Sequence, residues 1–420
     1  MIEIMTHKIK DTIVIVPGSK SYTHRILIAA ALSDGVCRIE NSLCSEDTLL
    51  TIKALRQMGA GIEERKDCLL VHGNAGVLAE SSEPIYLGNS GTSMRLLTAL
   101  AALGKGTYRL TGTARMQQRP IQDLIDGLNQ INVKIQSVNA NGCPPIDVAG
   151  GRVSGGSVRL SCSKSSQYLS ALLLMAPYTA GGIEIIVTEG PVSKPYIDMT
   201  MAVMERLGVA VERDGYRQFF VRGGQLYRAG TYVVESDASQ AGYFWAAAAI
   251  TGASVKVKGI LKDSRQGDVR FTRLLKEMGC EIMKEADGIG VCGGTLSAIQ
   301  TDMADMPDLV PTLAVVAAFA KGTTVIRNVA HLKVKESDRL AAVVAELAKM
   351  GISARATDND LMITGGIPRG ATIETYNDHR IAMSFALAGL KIPGMMILDE
   401  TCVEKSFPEF WQVLEQLYQK

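Results

Sequence analysis

Six times along the 420-residue chain an alanine- and leucine-rich apolar stretch runs into a glycine and then a short apolar strand pattern. The stretches cover 27–39, 96–110, 169–187, 244–257, 315–326 and 385–398, with their glycines at 35, 106, 182, 252, 322 and 394. Spacings of 71, 76, 70, 70 and 72 residues between those glycines mark an internal repeat. Each glycine suits a helix C-terminus, where a left-handed residue ends the turn at little steric cost. A second pattern interleaves with the first: an amphipathic helix, then glycine or asparagine, then an alternating strand. It appears at 55–59, 128–132, 204–208, 275–279 and 347–351. Leu49, Ile52, Leu55 and Met58 give one of these helices an apolar stripe. Each repeat therefore holds about two helices and three or four strands. Six make an α/β protein of βαβ-type modules, expected as two similar domains of three repeats. Strand 13–16 runs into Pro17-Gly18-Ser19-Lys20, and Val234-Glu235-Ser236-Asp237 makes a similar junction. Taking both as crossings gives domains 18–235 and 1–17 with 236–420.

Composition narrows the function. Lys and Arg total 44 against 43 Asp and Glu, a net charge of +1. That balance argues against bulk binding of nucleic acid or an acidic membrane, and 5% aromatics argue against a base-stacking platform. Any anion site is local. The apolar runs 169–177 and 314–320 are shorter than the roughly 20 residues that span a bilayer, and the N-terminus lacks the pattern of a secretory signal. None of the eight cysteines has C-x-x-C spacing. They are expected as small buried hydrophobes in a reducing compartment. The histidines make neither H-x-x-x-H nor H-E-x-x-H, so no metal is expected and His379 reads as structural. Nucleophile-elbow, Rossmann and P-loop signatures are absent.

Several helix starts instead combine glycine, hydroxyls and a cation. Gly18-Ser19-Lys20-Ser21 is followed by Arg25, and Gly88-Asn89-Ser90-Gly91-Thr92 by Arg95. Ser163-Lys164-Ser165-Ser166-Gln167 and Ser193-Lys194-Pro195-Tyr196 precede further helices. Free backbone N–H groups at a helix start attract anions, although capping by serine explains any one of these segments alone. Lys335 and Arg339, read as a first helical turn, and Arg380, after Asn377-Asp378-His379, oppose the helix dipole unless an anion offsets them.

Taken together in chain order, these segments, with Arg119-Pro120, Ser193 to Asp198, Lys335-Glu336 with Asp338-Arg339-Leu340, and Lys405 with Phe407-Pro408, resemble the 3-phosphoshikimate 1-carboxyvinyltransferases of the enolpyruvyl transferase family. The resemblance covers essentially the whole chain. It implies two domains that are each an inside-out α/β barrel, joined by a two-stranded hinge. It implies a monomeric cytoplasmic enzyme without metal or cofactor, which moves the enolpyruvyl group of phosphoenolpyruvate to the 5-hydroxyl of shikimate 3-phosphate and releases phosphate. By the same resemblance Lys20, Ser21, Arg25, Ser165, Ser166, Gln167, Ser193, Tyr196, Asp308, His331 and Lys335 hold shikimate 3-phosphate. Lys20, Asn89, Gly91, Thr92, Arg119, Gln167, Arg339, Arg380 and Lys405 hold phosphoenolpyruvate. Asp308 is the expected base for the hydroxyl, with Lys20 and Glu336 handling the proton at C3 and the leaving phosphate. His331 departs from the asparagine of many relatives, and Leu96 from their proline. The related UDP-N-acetylglucosamine enolpyruvyl transferases read Lys-Asn where this chain has Lys20-Ser21, and usually carry a reactive cysteine where 104–119 has none.

Overall fold

The computed structural model describes residues 1–418. The chain forms two compact units, one of Gly18–Val234 and one of Met1–Pro17 with the chain from Glu235 onward.

In the first unit, three helices are apolar on nearly every side: Lys20–Leu32, Gly91–Ala101 and Gln167–Met175. Such helices find no water-facing stripe and pack together as the core. Their few residues that escape burial are polar and sit at the N-terminal ends: Lys20, Ser21, Thr92 and Gln167. Three four-stranded sheets cover the helices. Each is built alike: Val36–Glu40, Thr107–Thr111 and Ile183–Glu189 pair with one parallel neighbour and with one antiparallel strand that continues into a hairpin.

The second unit repeats the plan with central helices Ala238–Thr251, Val310–Ala318 and His379–Gly389, the last two buried along their whole length. Two of its sheets have four strands. The third has three, because Ile2–Ile4 at the N-terminus pairs with Met395–Ile397 where the other repeats place a hairpin. The sixfold repetition read from the sequence is thus six small sheets around two bundles of three helices.

The second pattern of helix ends is realised in full: Gly59, Asn132, Gly208, Gly279 and Gly351 all have positive φ. Of the first set, Gly106, Gly182, Gly252, Gly322 and Gly394 have positive φ, but only Gly252 caps its helix; the other four lie past the helix end, immediately before the next strand, and Gly35 is not left-handed. There Ser33 ends the helix, and a Cβ at Gly35 would make a tight 3.0 Å contact with Ala229 Cβ. Leu49 is also exposed, since a strict spacing of three drifts off a face of period 3.6, leaving Ile52, Leu55 and Met58 inside. Five cysteines are buried, whereas Cys44 is exposed and Cys143 and Cys292 are half-buried.

A third repeat was not apparent in the pattern. Gly73, Gly150, Gly223, Gly293 and Gly365 each follow the strand that passes the C-terminal end of a central helix. A Cβ would lie 2.3 Å from Ser33 O at Gly73, 2.2 Å from Ala248 O at Gly293 and 2.0 Å from Ala320 O at Gly365. These backbone atoms cannot move aside singly, so overpacking there strains the whole end of the bundle. Gly365→Ala is expected to cost about 2 kcal/mol or more, while Gly366→Ala, whose Cβ would make an ordinary 3.6 Å contact with Ile352, stays within about 0.5 kcal/mol. Urea unfolding of both variants checks this, and equal losses contradict it.

Candidate active site

In the first unit the site is built on the N-terminal ends of the central helices. Ser19 caps Lys20–Leu32 and Ser90 caps Gly91–Ala101, so capping uses those two serines and leaves Lys20, Ser21 and Thr92 for other work. Lys20 Nζ lies 3.1 Å from Asp47 Oδ2, with the aspartate buried in the first turn of Glu46–Gln57. Arg25 is 1% exposed. Its Nε donates to Thr200 Oγ1 at 2.7 Å, Nη1 to Ser21 O at 2.9 Å, and Nη2 to Tyr196 O and Ser170 Oγ at 3.3 and 3.4 Å. Every one of these acceptors is neutral. Burial pushes its pKa down to about 10, and no carboxylate among the described residues pairs with it.

Arg95 likewise has no carboxylate partner among the described residues. It donates to Gln167 Oε1 at 3.0 Å, Gly91 O at 3.3 Å and Pro120 O at 3.2 Å, and its buried Nε has no hydrogen-bond partner among the described residues. Gln167 in turn donates to Thr92 Oγ1 at 3.0 Å. Arg119, 4% exposed, reaches Asn89 O at 2.8 Å and Asn89 Oδ1 at 3.1 Å. A Cβ on Gly91 would stand 2.5 Å from Arg119 Nη2 and 2.6 Å from Arg95 Nη1. Glycine at this helix start therefore lets two guanidinium groups converge on it. Ser165 and Ser166 are buried just before Gln167, and Ser193 is a buried, left-handed residue just before helix Pro195–Arg206.

The second unit pairs its arginines with acids. Arg339, 1% exposed, donates through Nε to Asp378 Oδ2 at 2.8 Å, through Nη1 to Asp308 Oδ1 at 3.0 Å and through Nη2 to Glu336 Oε2 at 2.8 Å. Arg380 donates to the other Asp308 oxygen at 2.8 Å, to Ser239 Oγ at 3.0 Å and to Tyr243 Oη at 3.2 Å. Asp308 thus bridges two guanidiniums. Burial raises its pKa, but Arg380, Arg339 and Lys335 overcome that and hold it well below the usual carboxylate range. Burial likewise disfavours charge on Arg339, and Asp378, Glu336 and Asp308 more than restore it.

Lys335 is not in a helical first turn as expected. Asp338 caps helix Arg339–Lys349, so Lys335 ends the preceding tight turn Ala330–Val334. Lys405 is buried at the end of turn Glu400–Lys405, and the next residue, Ser406, accepts from Gln240 near the start of Ala238–Thr251. His331 is buried with Nε2 unpartnered among the described residues. Burial, then Lys335, lower its pKa to about 3, so it is neutral. His379 is buried within the central helix.

Asp47, Ser170, Thr200, Ser239 and Tyr243 have no part in the sequence motifs, and Arg95 and Asp378 appear there without an assigned ligand. Ser170 does carry a signal, as a polar residue inside the apolar run 169–177.

The family model for EPSP synthase (3-phosphoshikimate 1-carboxyvinyltransferase) matches residues 6–414. The chain belongs to the EPSP synthase family. A 3-phosphoshikimate 1-carboxyvinyltransferase of Syntrophobacter fumaroxidans is 44% identical over 405 residues, 96% of each chain. That of an Escherichia coli O6:H1 strain is 43% identical over 415 residues, 97% of each. The EPSP synthase structure from Acinetobacter baumannii superposes with a TM-score of 0.83 at 30% identity, covering 99% of this chain and 97% of that one. The chain is accordingly an enzyme, a carboxyvinyl transferase of the shikimate pathway with the family's two-domain α/β fold. Among the described residues no helix is long and apolar enough to cross a membrane, and no cluster of three or more His, Cys, Asp or Glu could hold a metal.

The depressed pKa of His331 sets a stability profile. The unfolded chain takes up this proton near pH 6.5 and the folded chain only near pH 3, so stability is lost as pH falls through that window. Between pH 6.5 and 5 the wild type should lose up to about 1.4 kcal/mol per unit from this residue. His331→Asn should show a correspondingly flatter loss in denaturant titrations at the two pH values. Identical pH slopes contradict it.

Proposed function

We propose that the clusters described above perform enolpyruvyl transfer from phosphoenolpyruvate to shikimate 3-phosphate with the division of labour that follows. Shikimate 3-phosphate is held by Lys20, Ser21, Arg25, Ser165, Ser166, Gln167, Ser193, Tyr196, Asp308, His331 and Lys335. Phosphoenolpyruvate is held by Lys20, Asn89, Gly91, Thr92, Arg119 and Gln167, and by Arg339, Arg380 and Lys405. The observation that carries this reading is Arg25, wholly buried with only neutral oxygens around it. A guanidinium in that state lacks the anion that its forked donors match.

Protonation of C3 of phosphoenolpyruvate makes C2 electron-poor. The 5-hydroxyl of shikimate 3-phosphate adds to C2 and gives up its proton, and the tetrahedral adduct then loses phosphate and a proton from C3. Asp308 is the base for the hydroxyl. Its two arginines suppress its basicity. A substrate carboxylate or phosphate that takes up the forks of Arg339 and Arg380 releases Asp308 from that restraint, so basicity rises when substrate arrives. Glu336, on Arg339 at 2.8 Å, and Lys20, on Asp47, serve the proton at C3 and the departing phosphate.

A phosphate-release assay tests the proposal. The wild type should release phosphate only with both substrates present, and not with UDP-N-acetylglucosamine in place of shikimate 3-phosphate. Lys20→Met and Asp308→Asn should each lower kcat by about 10²–10⁴. Turnover with the UDP-sugar, or full activity in both variants, contradicts it.

A further inference from the structure

Helix Arg339–Lys349 carries a buried carboxylate that the reaction above does not use. Glu346 is 0% exposed. Its Oε2 accepts from the backbone N–H of Glu374 at 3.0 Å and its Oε1 from Tyr376 Oη at 2.7 Å, while Lys349, on the surface of the same helix, pairs with it at 2.7 Å. Glu346 therefore grips a short loop from beneath. That loop, between strand Thr372–Ile373 and helix His379–Gly389, holds two consecutive left-handed residues that are not glycine, Tyr376 at φ 54° and Asn377 at φ 52°. Side chains disfavour that conformation, and two in a row persist only where the surroundings impose them. The loop ends on Asp378, which caps the helix and accepts from the backbone N–H of Arg380 at 3.0 Å. The same helix thus holds the loop at two levels, through Arg339 on Asp378 and, two turns on, through Glu346 on Glu374 and Tyr376.

We propose that Glu346 is a positioning residue for Arg380: through Tyr376 it imposes the left-handed pair that aims the Arg380 guanidinium at Asp308, Ser239 and Tyr243. The phenol of Tyr376 is held above its ordinary value by burial and by the Glu346 carboxylate, so it stays protonated and donates throughout the working range. The inference rests on the assignment of Arg380 to phosphoenolpyruvate made above.

Tyr376→Phe removes one hydroxyl from a partly exposed ring and should leave the melting temperature nearly unchanged. It should raise KM for phosphoenolpyruvate about three- to tenfold and leave KM for shikimate 3-phosphate within twofold. Glu346→Ala should do the same or more, and Glu346→Gln, which can accept from Glu374 N–H and donate to the phenol oxygen, should restore most of the loss. In an Arg380→Met background the Tyr376→Phe effect should shrink below twofold. Arg380→Met alone reports on the assignment of Arg380, and an unchanged KM for phosphoenolpyruvate refutes that assignment. The coupling, read in whichever constant Arg380→Met alters, still decides the role of Glu346. Equal effects of Tyr376→Phe in both backgrounds, an equal rise in both KM values, or no effect in a fully folded variant overturns the proposal. Should Glu346→Ala fail to fold, the Tyr376→Phe cycle decides alone.

Discussion

Burying a guanidinium charge is the constraint on which the structure turns. Arginine stays protonated even when desolvated, so the protein must surround it with compensating groups. The two units solve this differently. In Gly18–Val234, Arg25 and Arg95 are given only carbonyl, hydroxyl and amide oxygens. In the other unit, Arg339 and Arg380 share Asp308, with Asp378 and Glu336 completing the set for Arg339. The first arrangement stores a demand for an anion. The second surrounds the Asp308 carboxylate with cations that hold its proton affinity down.

The fold supplies both arrangements by the same means. Three apolar helices must pack together in each unit because they have no face for water, and contacts such as Thr92 to Gln167 and Arg380 to Ser239 bring their N-terminal turns into register. Helix N-termini carry partial positive charge, so cations added there worsen the repulsion until an anion arrives. At the opposite ends, glycines such as Gly293 and Gly365 let strands pass within contact of the last carbonyls. Tight packing at one end therefore frees the other for function.

Much of this was legible in the sequence because repetition and motif order are one-dimensional signals. The spacing of 70 to 76 residues marked the six modules, and the helix starts at Lys20, Gly91, Gln167 and Arg380 pointed to the cations and hydroxyls of the candidate site. Asp47, Thr200 and Tyr243 were not legible, because each acts on a residue distant in the chain and carries no local pattern. Glu346 shares that limit: it looks like one more polar residue of an amphipathic helix, and only the pairing with Tyr376 gives it a task. Lys335 was misplaced for a related reason, since the cap Asp338 lies three residues later than the charge run suggests.

The central claim is that Arg25 is kept for an anion at a cost to the empty protein. Replacing it by methionine leaves no orphaned acceptor at Thr200, Ser170 or Tyr196, because Thr200 Oγ1 already donates to Tyr196 O at 2.7 Å and pairs with Ser170 Oγ at 2.8 Å. Thermal unfolding of wild type and Arg25→Met, each with and without shikimate 3-phosphate, is the most direct measurement. The account predicts that the empty variant melts at or above the wild type and that the stabilisation by shikimate 3-phosphate disappears. An empty variant that melts several degrees lower, with the ligand's stabilisation intact, would contradict it.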